Sequence, residues 1–171
     1  INVRTCQTDY AVVTYQRVTA QSACDDADAG SHVPITGQSN QTACATVTYQ
    51  SWTAQDSCDD ADPGSYVPIT GQTSQTTCAV GTYQVDIGQD SCDDADPGSY
   101  VPITGQTSQT DCAVGTYQSL TAQSDCDDAD AGSYVPITGQ SNQTVCATGT
   151  YQSLTAQSSC NDADAVSYVP T

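Results

Sequence analysis

Ala61-Asp62-Pro63-Gly64-Ser65-Tyr66-Val67-Pro68-Ile69-Thr70-Gly71-Gln72 decides the fold, because its tyrosine is one mark on a ruler. Tyr15, Tyr49, Tyr66, Tyr83, Tyr100, Tyr117, Tyr134, Tyr151 and Tyr168 share a 17-residue grid, and the one vacant mark holds His32, another flat ring with a polar tip. Six residues after every mark from Tyr15 to Tyr151 stands a glutamine, Gln21 through Gln157. Two residues before each mark stands Gly or, at Val13, Val47 and Val166, valine. Loops tolerate changes in length, yet nothing interrupts this count from Tyr15 to Tyr168. Each unit must therefore be built against its neighbours, as in a repeat array. The units alternate between two kinds, which gives a 34-residue repeat. About five such repeats make residues 1–171 one continuous array.

The same period belongs to helical tetratricopeptide arrays. Here Thr, Val, Tyr, Gly and Pro fill the units without helical apolar spacing. Short β-branched and aromatic runs between Gly, Asp and Asn turns read as strands of about 4–5 residues. The expected fold is all-β: an elongated, disulfide-stapled tandem-repeat rod of short hairpin rungs. In the quoted unit, 65–69 forms one arm, 70–72 turns, and the following residues return. Gly64 and Tyr66 fall on one side of a strand, so the bare glycine is expected to leave room for a neighbouring ring. A packed internal ladder of tyrosines is preferred over an exposed platform for sugar, because large rings usually serve packing.

The cysteines carry the most specific inference. Counted from the grid ring they stand at −5 and +9: Cys44 and Cys58 around Tyr49, Cys78 and Cys92 around Tyr83, Cys112 and Cys126 around Tyr117, Cys146 and Cys160 around Tyr151. In the alternate units both positions are vacant together, as Ala61 and Gln75 or Ala95 and Gln109. Joint presence and absence favours Cys44 with Cys58 and its equivalents. The competing pairing of Cys58 with Cys78 leaves the joint absence unexplained, though sequence alone does not fix connectivity. Zinc sites call for close pairs such as CxxC. The nearest cysteines here are 14 apart and there is a single His, so structural disulfides are expected instead. Cys6 departs from the grid. An internal bond to Cys24 is preferred over one to a neighbouring chain.

Cys78-Ala79-Val80-Gly81-Thr82-Tyr83, running on to Cys92, resembles the cysteine-rich ephrin-receptor-like repeats, which are similar to the first module of tumour-necrosis-factor-receptor repeats. The resemblance covers the cysteine-bearing units, about half the chain. It implies that the two cysteines bracketing Gly-Thr-Tyr are bonded to each other, and that the setting is a large extracellular or surface protein. It implies no single activity. The alternate units, with Ala and Gln for cysteine, depart from the family.

All 20 acids are Asp, the only cations are Arg4 and Arg17, and the net charge is −18. Phosphate binding needs a basic face, so nucleic acid is not an expected partner. No apolar run spans a membrane. The even count of ten regularly spaced cysteines points to an extracellular or cell-surface location. The start at Ile1 reads as a mature, processed chain. Asp-Asp-Ala-Asp recurs, so Asp59, Asp60 and Asp62, with Asp93, Asp94 and Asp96, are candidate calcium ligands. The match to an EF-hand loop is poor, and turn capping with solubility charge is the plainer expectation. Asn40 and Asn142 open glycosylation sequons at one phase of the repeat.

No catalytic constellation stands out: one His, no Lys or Glu, no nucleophile elbow and no phosphate loop. The chain is read as a non-enzyme. The first residues align with the phase at which the last unit stops, so residues 1–10 are expected to complete the rung at 165–171 of a neighbouring copy. The joint would be built from Ile1, Val3 and Cys6 against Tyr168, Val169 and Pro170. The function expected is the structural subunit of an extracellular filament or surface appendage, with copies of itself and glycans as partners. The alternative is a calcium-dependent adhesin stalk or a receptor-like ligand-binding ectodomain. An ice-binding Thr array is disfavoured, since Thr46-Val47-Thr48 is not repeated in the sister units.

Overall fold

The computed structural model describes residues 12–17 and 23–164. Among the described residues there is no helix, and eighteen two-residue strands pair as nine antiparallel hairpins. The chain is thus an all-β tandem repeat. In each hairpin the grid ring ends the first strand: Ser65–Tyr66 pairs with Thr76–Thr77, Tyr66 opposite Thr76. Tyr83 stands opposite Asp93, and Tyr100 opposite Thr110.

The strands are shorter than the sequence suggests. The reason lies in where the backbone bonds go. Beyond Tyr66 the ladder with its own return arm stops, and the backbone of Val67, Gly71 and Gln72 bonds to other hairpins instead. The Val67 amide donates to the Gln89 carbonyl at 2.9 Å, and the Gln72 carbonyl accepts from the Gln50 amide at 3.1 Å. Buried amides and carbonyls must find partners. Here successive hairpins supply them to one another.

Two compact units divide the chain: Ile1–Cys78 with Gln84–Cys92, and Ala79–Tyr83 with Asp93–Thr171. Inside the first, three kinds of bond join one hairpin to another. The amide two before the ring donates forward to the residue just after the next ring, Gly30 to Gln50 and Val47 to Val67. The residue after the ring also donates forward, to the glutamine that follows the next ring, as Val33 does to Gln55. A third bond runs backward, from Ala54 to Ala27 and from Gly71 to Cys44. The second unit repeats all three at the same offsets: Gly98 to Gln118, Val101 to Gln123, Ala122 to Ala95. One inserted residue would break every offset that spans it, which is why the grid admits none. The glutamine six after the ring is explained in part: the carbonyls of Gln55 and Gln89 are the acceptors for the valine amides, and that of Gln72 accepts from Gln50.

The glycine before the ring makes room for backbone, not for a ring. A Cβ on Gly30 would lie 2.3 Å from the Gly71 carbonyl oxygen, and one on Gly98 2.3 Å from that of Gly139. Both glycines also have positive φ, 80° and 92°, which side chains adopt only at a cost. Val47 occupies the same position at φ 71°, an outlier for a β-branched residue.

The core is narrow. In the first unit Ala27, Val33, Cys44, Ala61, Val67 and Cys78 are fully buried, and in the second Ala95, Val101, Cys112, Ala129 and Val135. The position five before the ring is thus filled by a small residue, alternately Ala and Cys. The residue after the ring alternates between valine and a buried glutamine, Gln50, Gln84, Gln118 or Gln152. Most of the rings are not the internal ladder expected of them: Tyr15 is buried beside Ala27 and Val33, but Tyr49, Tyr66, Tyr83, Tyr100, Tyr117 and Tyr134 are half-buried, and Tyr151 is exposed. A core this thin needs other support.

Gly98→Ala is expected to cost more than about 2 kcal/mol, combining a left-handed penalty with a backbone clash. Gly37 also has positive φ but nothing lies within 4 Å of its Cβ position, so Gly37→Ala should cost only about 1 kcal/mol. Thermal unfolding of the two variants measures the difference, and equal losses would contradict the close-approach account.

Candidate functional site

The chemistry-bearing groups of this chain sit in the staples and in the surface that the staples hold. Disulfides join Cys44 to Cys58, Cys78 to Cys92, Cys112 to Cys126 and Cys146 to Cys160, each with Cα atoms 5.8 Å apart. Each ties the position five before the ring to the residue just ahead of the return strand. A closed loop of this size contributes roughly 3 kcal/mol in the chain-entropy account. Cys24 is also disulfide-bonded. Cys6 lies outside the described residues, as do the joint residues Ile1, Val3, Tyr168, Val169 and Pro170.

The alternate hairpins carry a different staple that the sequence did not disclose. Gln75 stands where its sister units have the second cysteine. Its Oε1 accepts from the Asp62 amide at 2.6 Å, and its Nε2 donates to Asp62 Oδ2 at 2.7 Å. Asp28 with Gln41, Asp96 with Gln109, and Asp130 with Gln143 repeat the clamp. The vacancy of both cysteines thus has a chemical counterpart: a pair of hydrogen bonds, one of them charge-assisted by the carboxylate, spans 13 residues where a disulfide spans 14. A third brace lies inside the cysteine-bearing hairpins. The buried Gln118 side chain donates to the Asp125 carbonyl at 2.9 Å and accepts from the Leu120 amide at 3.0 Å. Gln50, Gln84 and Gln152 do the same in their own loops.

These contacts place the candidate calcium ligands. Asp62 and Asp96 each commit one carboxylate oxygen to a glutamine. Asp59 and Asp60 are consecutive residues of one strand, as are Asp93 and Asp94, so their side chains leave on opposite faces. Among the described residues, the three-ligand grouping within 4.8 Å is His32 with Cys44 and Cys58, not a set of acids. His32 Nδ1 lies 3.3 Å from Cys58 Sγ. The sequence marked His32 as the odd ring on the grid, but nothing in its spacing from Cys58 signalled that it faces a disulfide.

The Tyr49 hydroxyl is held above its ordinary pKa, first by desolvation and then by the Asp62 and Asp59 carboxylates, which disfavour a second negative charge. Asn40 and Asn142 are exposed or nearly so, and their Nδ2 atoms donate to Ser39 and Ser141 Oγ at 3.2 and 3.1 Å. Gln41 and Gln143, the central residues of the two sequons, are held in the aspartate clamps.

The surface also repeats. Three residues after the ring stands an exposed apolar side chain: Ile35, Trp52 and Ile69 in the first unit, Ile103, Leu120, Ile137 and Leu154 in the second. Asp86 takes that place once, between the exposed Val85 and Ile87. No family model matches the chain, and none of the curated proteins is similar to it.

Ala95→Cys with Gln109→Cys puts the cysteine pattern into an alternate hairpin. The double variant is expected to lose two hydrogens by mass on oxidation and to gain up to about 3 kcal/mol, less the roughly 1 kcal/mol of the lost clamp. Peptide mapping and thermal unfolding report the outcome, and two free thiols would show that the alternate hairpins differ in geometry. A raised tyrosine pKa means the fold favours the neutral phenol. The contribution of Tyr49 is therefore complete below the ordinary value near 10.0 and is lost as pH rises through the higher folded value. An ultraviolet titration of the wild type minus Tyr49→Phe should give a midpoint above that of an ordinary tyrosine.

Proposed function

We propose that the chain is the structural subunit of an extracellular filament or cell-surface appendage, its hairpin array carried from one copy to the next by strand complementation. One observation carries the reading. The amides of each hairpin are satisfied at fixed offsets by hairpins that follow, as Gly30 is by Gln50 and Val33 by Gln55. A hairpin contributed by another copy offers the same acceptors. Added strands are an established mode of association, and a head-to-tail contact that does not close makes a filament. The joint of this reading is residues 1–10 against 165–171.

The disulfides suit an oxidising compartment, and no helix among the described residues is long and apolar enough to cross a membrane. An abundant negative charge keeps assembled strands soluble and apart. Asn40 and Asn142, each on a segment fixed by a clamp, are the glycan attachment points of this reading. The exposed apolar side chains within each unit, such as Trp52 in the first and Leu120 and Leu154 in the second, favour a second reading, a ligand-binding ectodomain.

Electron imaging of the purified protein tests the choice. Long filaments are expected, and deletion of residues 1–8 should reduce them to short particles. Unimpaired filaments after the deletion would overturn the joint. Dispersed single chains in the intact protein would overturn the filament.

A further inference from the structure

We propose that His32, Cys44 and Cys58 form a redox-gated site for a thiophilic divalent ion such as Zn²⁺, latent while the disulfide is closed and competent once a dithiol opens it. This goes beyond the structural reading and does not depend on it. The carrying observation is the approach of His32 Nδ1 to Cys58 Sγ at 3.3 Å, with Cys44 Sγ in the same group within 4.8 Å.

The arrangement is particular to one hairpin. The grid places Tyr66, Tyr100 and Tyr134 where the His32 hairpin has imidazole, and Cys92, Cys126 and Cys160 follow them at the His32-to-Cys58 spacing. Only one of these four staples therefore has a ring nitrogen beside its sulfur. A phenol is a poor ligand for a soft ion, whereas imidazole and thiolate are the usual zinc donors.

The geometry suits the ion once the sulfurs part. Zinc–sulfur bonds of about 2.3 Å and zinc–nitrogen bonds of about 2.0 Å at tetrahedral angles put nitrogen and sulfur roughly 3.5 Å apart. The His32–Cys58 pair is already close to that. Two sulfurs on one ion lie about 3.8 Å apart by the same geometry, a separation that breaking the disulfide permits. Cys44 is fully buried, while Cys58 and His32 are half-buried. Solvent therefore reaches the group at Cys58 and His32.

The chemistry balances with a dithiol as reductant. One of its thiolates attacks the more accessible Cys58 sulfur, the bond to Cys44 breaks, and Cys44 leaves as thiolate and takes a proton. The second thiol of the reagent then releases Cys58, and the reagent departs as its own disulfide. Two electrons and two protons have passed to the protein. The ion then displaces one proton from each cysteine thiol and takes the lone pair of neutral imidazole.

Cobalt(II) is the probe, because it reports ligand type by its spectrum. The intact chain is reduced in steps with dithiothreitol under anaerobic conditions. Opened cysteines are mapped by alkylation, and the fold is followed by circular dichroism. The expected result is one cobalt per chain, with sulfur-to-metal charge-transfer and tetrahedral bands that appear with opening of Cys44–Cys58 and yield to Zn²⁺. His32→Tyr restores the residue that the sister hairpins carry, so it is expected to fold, and it should abolish this one equivalent. Cys78→Ala with Cys92→Ala should leave it in place. The proposal is overturned if no cobalt binds, if the bands persist in His32→Tyr, or if the fold is lost before Cys44–Cys58 opens.

Discussion

A two-residue strand cannot hold itself together, and the rest of this structure depends on that. Each hairpin closes only a short ladder of its own and sends its remaining amides to the hairpins before and after it. The hydrogen bonds are ordinary. Their fixed offsets are what matter, since they turn the chain into a sequence of units that satisfy one another. The glycine before the ring follows from the same constraint. Backbone from a later hairpin, Gly71 against Gly30 or Gly139 against Gly98, passes where a side chain would begin. At Gly30 and Gly98 that approach leaves no room for a Cβ, whereas Val47 makes the equivalent bond to Val67 with its side chain in place.

Close backbones leave little space for a core. Alanine, valine and cysteine fill most of it, and each buried valine contributes only about 2 kcal/mol. The chain compensates with staples of two chemical kinds in alternation. Disulfides serve one hairpin and glutamine–aspartate clamps the next, at closely matching positions. The alternation explains the 34-residue repeat laid over the 17-residue grid. Both staples fasten the chain before the first strand to the residue ahead of the second, so either one fixes the same loop. The two differ in their response to conditions: reductant opens the first kind and leaves the second, which contains no sulfur, in place.

What the staples hold outward is as regular as what they hold inward. From Ile35 to Leu154, one loop position presents an apolar side chain, or Asp86 between Val85 and Ile87, in every hairpin. Aspartates of the return strands come near the loops as well. The Asp60 carboxylate lies 3.7 Å from where a Cβ of Gly88 would be, and that of Asp111 3.5 Å from the same point on Gly139. Acidic and apolar side chains thus recur at fixed phases of the repeat.

The sequence by itself determined the all-β class, the repeat length and the hairpin as the unit. Each of these is periodic, and periodicity is written one residue at a time. The cysteine pairing was favoured by joint presence and absence, because a covalent partner leaves a correlated trace. Strand length was not legible, since the same Thr, Val and Tyr run bonds to its own return arm or to another hairpin with equal propensity. The glycines announced free space, but only the tertiary structure decided that a carbonyl occupies it. Glutamine gave no clue that it replaces cysteine as a staple, because amide hydrogen bonds leave no mark in composition. The meeting of His32 with Cys44 and Cys58 arises from the way successive hairpins pack. His32 and Cys58 are 26 residues apart in sequence, and only the folded chain brings them to 3.3 Å.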